Sequence, residues 1–300
     1  MGNFFNINRI LRAKIHHSWM VIALIIVIII PFAIAVCLYY KSGILIKETS
    51  VLHFLFSKDW RPMHEKFGLA PFIVSSLWVT VLAVLFSGPV CLLTGIFLTQ
   101  YTRKRFLEMM HPVIDILAGI PSVIYGVWGI LLIVPFVSKY LAPLLHISTS
   151  GYNILSGAIV LSVMIIPFIL NILIEVFQTI PEELKEASLS LGATKWETIK
   201  FVMLKKAFPG IISALGLGVS RAFGETIAVL MVVGNVVQIP KGVFQAGYPL
   251  PALIANNYGE MLSIPKYDAA LMLAALVLFT VVLIFNLFSR LLIVRMEKNN

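Results

Sequence analysis

Apolar runs close to twenty residues long recur from one end of this 300-residue chain to the other, and they constrain its fold most strongly. A helix crosses about 30 Å of hydrocarbon with about 20 residues, and only segments that satisfy their own backbone polar groups survive there. The runs fall at about 20–40, 71–100, 114–137, 154–177, 210–237 and 269–294, which predicts an all-α membrane protein of six transmembrane helices. Residues that are 59% hydrophobic and only 12% charged fit a bundle in lipid better than two soluble domains.

The formal net charge is +9, which in a soluble protein would suggest a nucleic-acid partner. Here the cations sit between apolar runs, where cytoplasmic loops and anionic lipid head groups account for them, so no nucleic acid is expected. Fourteen basic residues fall in 1–19, 101–113, 178–208 and beyond residue 289, against eight in the alternate loops. That bias predicts both termini inside, with a cytoplasmic segment 1–19 and tail 295–300. The first run is long for a signal peptide, and Ile34-Ala35-Val36-Cys37 is a poor lipid-attachment sequence, so an uncleaved first span is expected. Cys37 and Cys91 fall at different predicted depths and are read as packing residues. The six histidines show no metal-ligand spacing, so no metal is expected.

Two loops and one span carry further signals. The loop 41–69 is predicted to lie outside, with Trp60 as an interfacial anchor. In the third span, Pro121 is expected to kink the helix, while Gly119 and Gly126 permit close helix approach. The connector 178–208 is polar between two apolar spans. Thr179 with Glu182, and Thr194 with Glu197, have capping-box spacing, and Gly192 lies between them where a helix would end. Two short helices are therefore predicted, the second stopping near Ala207 before Pro209. From spacing alone the connector is either a solvated helical loop or a docking element.

The segment Glu186-Ala187-Ser188, with Gly192 beyond it, resembles the EAA loop of bacterial ABC importer permeases. The resemblance implies type I importer architecture and a coupling element, Glu186, Ala187, Ser188 and Gly192, that seats in an ATPase subunit. This chain has Val202-Met203-Leu204-Lys205 where that family continues with Ile-x-Leu-Pro, so its path after Leu204 is not given by the likeness. The sequence contains no GxxxxGK[ST], so ATP would be used by a partner ATPase and no cofactor is expected here.

Arg221 falls about 11 residues, roughly 17 Å, into the predicted fifth span, with Glu225 expected on the same face one turn deeper. Each charge costs about 2.5–3.5 kcal/mol at a helix centre on insertion scales. The pair either glues helices together or lines a solute pathway, in which a guanidinium fork suits phosphate oxygens and Glu225 holds Arg221. Gly224 leaves room for a ligand or backbone beside it.

Ser220-Arg221-Ala222-Phe223-Gly224-Glu225-Thr226 with Gly234-Asn235 resembles the corresponding segment of phosphate-specific permeases. The stretch Ala118–Gly129, together with Trp60, Pro62, Phe67-Gly68 and Pro71, is similar to the PstC type of that family. The likeness implies a substrate pathway through Ser220, Arg221, Glu225 and Thr226. It also implies a heterodimer with a PstA-like permease, an ATPase dimer, an extracytoplasmic phosphate-binding protein, and a place in the bacterial inner membrane. Competing readings are a permease for another oxyanion, such as phosphonate or molybdate, and a phosphate-signalling membrane scaffold. Secondary transport is disfavoured by the EAA-like loop.

Overall fold

The computed structural model describes residues 2–48, 50–259 and 264–297. Its core is one helix. Helix α8 (Ile154–Gln178) starts where the Asn153 side chain accepts from the Ser156 N–H at 2.9 Å, an N-cap that satisfies a free backbone donor. Beyond that cap it is apolar over most of its surface, and Ile154, Leu161, Ile165, Ile169, Leu173, Ile174 and Phe177 are fully buried. Helix α3 (Ala70–Ile96), carried on by a π turn to Tyr101, lies along most of its length. In lipid the tails are as apolar as the side chains, so close packing rather than water exclusion holds such helices together.

Six described helices are long and apolar enough to cross a membrane: His16–Glu48, Ala70–Tyr101, Ser122–Leu144, Ile154–Gln178, Lys195–Phe223 and Pro265–Leu291. The first is part of α1 (Gly2–Glu48), which reaches well past Tyr40 and packs on the last helix. The expected tail 295–300 falls partly outside the described residues, since helix runs on to Glu297 and 298–300 are not described.

The third span differs from the expectation. Helix α4 (Lys104–Ala118) ends at Gly119, and a new helix starts with α5 (Ser122–Trp128), with Pro121 as its N-cap. Pro121 therefore separates two helices instead of kinking one, because its ring forbids the backbone conformation that would continue α4. The Tyr125 hydroxyl spans the break by donating to the Leu117 carbonyl at 2.9 Å, which satisfies an acceptor in the last turn of α4. From Trp128 the helix continues through two π turns and the short α6 (Val134–Phe136) and α7 (Ala142–Leu144).

The connector begins with α9 (Glu182–Ser190). Its expected capping box at Thr179 does not form: the Thr179 hydroxyl donates back to the Val176 carbonyl at 2.8 Å and closes α8. The second helix, α10 (Lys195–Glu197), does not stop near Ala207 either. It passes through a π turn (Thr198–Met203) into α11 (Leu204–Phe223), with Pro209 inside. The fifth span therefore starts earlier than residue 210 and ends at Phe223 rather than Val237.

After Gly224 the chain forms only α12 (Ile227–Leu230), then a turn, and a loop that folds back over the start of α8. Gly234 is required there, since its φ is +95° and a Cβ would lie 2.8 Å from that of Ala246. Helix α13 (Leu250–Asn257) and α14 (Pro265–Glu297) complete the chain. The predicted loop 41–69 holds the end of α1, α2 (Val51–Phe56) and a single 3-10 turn at Pro62–His64. Trp60 is no simple interfacial anchor. Its ring packs edge-on against Phe67, Phe72 and Tyr267 in a second core. Lys266 ties this end together through Glu48 at 3.0 Å and Glu65 at 2.8 Å.

Candidate translocation and coupling sites

The coupling segment is built by local chemistry. Thr194 and Glu197 form a reciprocal capping box: Thr194 Oγ1 accepts from the Glu197 N–H at 3.3 Å, and Glu197 Oε2 accepts from the Thr194 N–H at 2.8 Å. Gly192 turns the chain between α9 and α10 with φ +87°, in open space. A left-handed turn of this kind is the ordinary C-terminal solution for a helix. Ser188 joins the two halves, its hydroxyl 3.0 Å from that of Thr198. Glu186 and Ala187 face solvent, as do the apolar Leu189, Leu191 and Trp196. Leu191 is 89% exposed on a segment joined to but not embedded in the bundle, which is how a docking surface looks before its partner covers it. Lys195 also stacks over the Tyr101 ring at 4.6 Å, so the segment grips the end of α3 as well as the start of α11.

The charged segment is built by a broken helix. Arg221 lies in the last turn of α11, with its guanidinium 4.8 Å from the centre of the Phe168 ring. Phe168 lies near the middle of α8, which puts the cation near half-depth in the bundle. Glu225 does not share its face, because α11 ends before it. Its carboxylate accepts from the Ala228 N–H at 3.4 Å and caps α12. No ion pair joins Arg221 and Glu225 among the described residues, which corrects the expectation that Glu225 holds Arg221. Thr226 is half-buried and donates to the Gly224 carbonyl at 3.3 Å. Ser220 points the other way, into the bundle, with its hydroxyl unpartnered among the described residues. Gly224 is exposed, and a Cβ there would find nothing closer than 3.7 Å, so the space beside Arg221 is open.

Irregular backbone at this depth is tolerated only where it is buried in protein or lines a watery path. Two such breaks face each other here. The break at 119–121 lies across from the one at 224–226, because α5 packs on α12. Gly126 and Gly129 allow that approach: a Cβ on Gly126 would lie 2.5 Å from Met231 Sδ, and one on Gly129 would lie 2.8 Å from Val232 Cγ1. Gly119 is not part of this contact and serves the α4 terminus, its N–H donating to the Asp115 carbonyl at 3.0 Å.

Two polar side chains beside this place were not singled out from the sequence. Asn171, one turn along α8 from Phe168, donates to Asp115 of α4 at 2.9 Å. Both fall inside predicted apolar spans, so the test that marked Arg221 applies equally to them.

The chain belongs to the family of binding-protein-dependent transport system inner membrane components, which it matches over residues 91–298. It is thus a multi-pass permease subunit of an ABC importer. It is 38% identical to the probable ABC transporter permease protein YqgH of Bacillus subtilis, over 79% of this chain and 76% of that protein. The phosphate transport system permease protein PstC of Xylella fastidiosa is 36% identical, over 82% of this chain and 79% of its own. The probable phosphate transport system permease protein PstC of Methanocaldococcus jannaschii is 33% identical over 94% of each. Among solved structures, a chain of the inward-facing MetNI methionine ABC transporter shares the fold. Its TM-score is 0.54 at 21% identity, over 78% of this chain and 99% of that one.

Proposed function

We propose that this chain is the PstC-type subunit of an ATP-driven phosphate importer, and that phosphate passes the membrane beside Arg221. The observation that carries the reading is an exposed guanidinium at half-depth, beside open space at a helix break, with no carboxylate paired to it among the described residues. A planar fork of donors suits two oxygens of one tetrahedral anion, and in a low dielectric it outweighs a surface cation as an anion site. The PstC relatives support phosphate as that anion.

Glu225 anchors the turn beyond Arg221, and its charge keeps the anion from resting there too long. Thr226 flanks the same opening, and Ser220 backs it from inside the bundle. The excess of basic residues in alternate loops supports a cytoplasmic position for both termini. Glu186, Ala187, Ser188 and Gly192 then face an ATPase dimer that uses ATP, while the outer loops face a phosphate-binding protein. A PstA-like permease completes the pathway as the heterodimer partner. Closure of the ATPase dimer pushes the segment at Gly192, and Lys195–Phe223, one uninterrupted helix, carries that push to Arg221.

The test is uptake of radiolabelled inorganic phosphate by the complete complex in proteoliposomes, with sulfate and molybdate as competitors. Arg221→Gln is expected to lower uptake about a hundredfold or more while the complex still assembles. Uptake retained by that variant, or displaced by molybdate, overturns the reading.

A further inference from the structure

The Asp115–Asn171 pair has no part in the reading above. Asp115 lies in the last turn of α4, exposed, and Asn171 Nδ2 donates to its carboxylate at 2.9 Å. The other amide atom, Asn171 Oδ1, is buried and receives no donor. Three residues earlier on the same helix stands Phe168, whose ring carries the Arg221 guanidinium. Three residues amount to about 4.5 Å along α8, less than the sweep of an arginine side chain. Among the described residues, one face of α8 therefore has a cation without a carboxylate, and one turn along it a carboxylate without a cation beside an acceptor without a donor. The Tyr125 hydroxyl donates to the Leu117 carbonyl of α4, two residues beyond Asp115.

We infer that Asp115, oriented by Asn171, is the release-side counter-ion of Arg221, which takes the guanidinium when the anion leaves. In the state seen here the fork lies on Phe168, with no acceptor on its donors among the described residues. On release it moves one turn along α8, where the Asp115 carboxylate and Asn171 Oδ1 accept its donors. An arginine that exchanges an anion for a carboxylate is never left as a bare charge in a low dielectric, so the anion is displaced rather than merely abandoned. Asp115 also repels an anion that approaches from the Gln178 end of α8, which favours one direction of passage.

This inference rests on the anion-pathway reading, and two measurements separate its failure from that of phosphate as the substrate. The first is phosphate uptake by the complete complex carrying Asp115→Asn. Asparagine still accepts from Asn171, so a side chain that only clips α4 to α8 would lose little. A counter-ion loses its charge, and the maximal rate is expected to fall about tenfold without a rise in KM, while Asp115→Glu restores at least about half. A rate within about twofold of the unsubstituted complex, or a fall that Asp115→Glu does not relieve, overturns the assignment. The second needs no substrate. The unfolding midpoint of the complex carrying Asp115→Asn is compared with that of the unsubstituted complex, with and without vanadate-trapped nucleotide. A loss of midpoint confined to one of the two states supports the swing, and an equal loss in both, or none in either, overturns it even if the complex carries no phosphate.

Discussion

The helix from Lys195 to Phe223 has two ends made by different physics. The Lys195 end is closed by neighbours in sequence: Thr194 and Glu197 satisfy each other's backbone donors, and Gly192 turns the chain in open space. The Phe223 end is closed by neighbours in space. Phe168 receives the Arg221 side chain, and α5 holds α12 through contacts that only Gly126 and Gly129 allow. A locally closed end can move as a rigid body when pushed, whereas an end closed by packing against other helices responds only when those helices shift. One rod therefore joins an end held by local capping to an end held by the packing of the bundle.

That contrast predicts large effects at the packed end and small ones at the capped end. Arg221→Lys keeps the charge but not the fork, and uptake of labelled phosphate is expected to fall about tenfold; full uptake would mean that charge alone suffices. Gly129→Val puts methyl groups into Val160 and Val232, for which overpacking costs about 1–3 kcal/mol, read as a lower unfolding midpoint of the purified complex. An unchanged midpoint would show that α12 is free to move off α5. Gly192→Val meets no steric neighbour, so its cost of about 1–2 kcal/mol comes only from the left-handed backbone. It is expected to weaken capture of the ATPase by about tenfold and leave the unfolding midpoint of the bundle in place. Thr194→Ala removes one half of the capping box, with about 1 kcal/mol of helix stability and the mildest loss of uptake. A deeper loss there than at Arg221 would reverse the contrast.

Individual residues show why one end was legible and the other was not. The Thr194 box needs only residues three apart, so its spacing is its mechanism. The same spacing at Thr179 misleads, because the hydroxyl has a competing acceptor in Val176 one turn back. Pro121 announces a disruption, yet the acceptor it frees in α4 is met by Tyr125 reaching Leu117 across the gap, a contact that spacing does not reveal. Arg221 stands out in an apolar run, and its partner does not. Glu225 has the i, i+4 spacing of a helical pair, but that spacing holds only while the helix continues, and it stops at Phe223. Asp115 and Asn171 were legible as polar residues inside spans, but the hydrogen bond that joins them links residues far apart in the chain.

The sequence by itself determined that the chain crosses a membrane, that a polar segment with a capped second helix interrupts the bundle, and that a cation lies within an apolar span. These follow from hydropathy, residue type and short-range spacing, which act the same way wherever the chain goes. Only the tertiary structure decided where the fifth helix ends, that Glu225 caps α12 instead of pairing with Arg221, that the Phe168 ring lies under that cation, and that Asn171 holds Asp115 one turn along α8. Spans that are apolar on nearly every face carry no periodicity to say which side meets which neighbour, so those contacts are settled by helix packing alone.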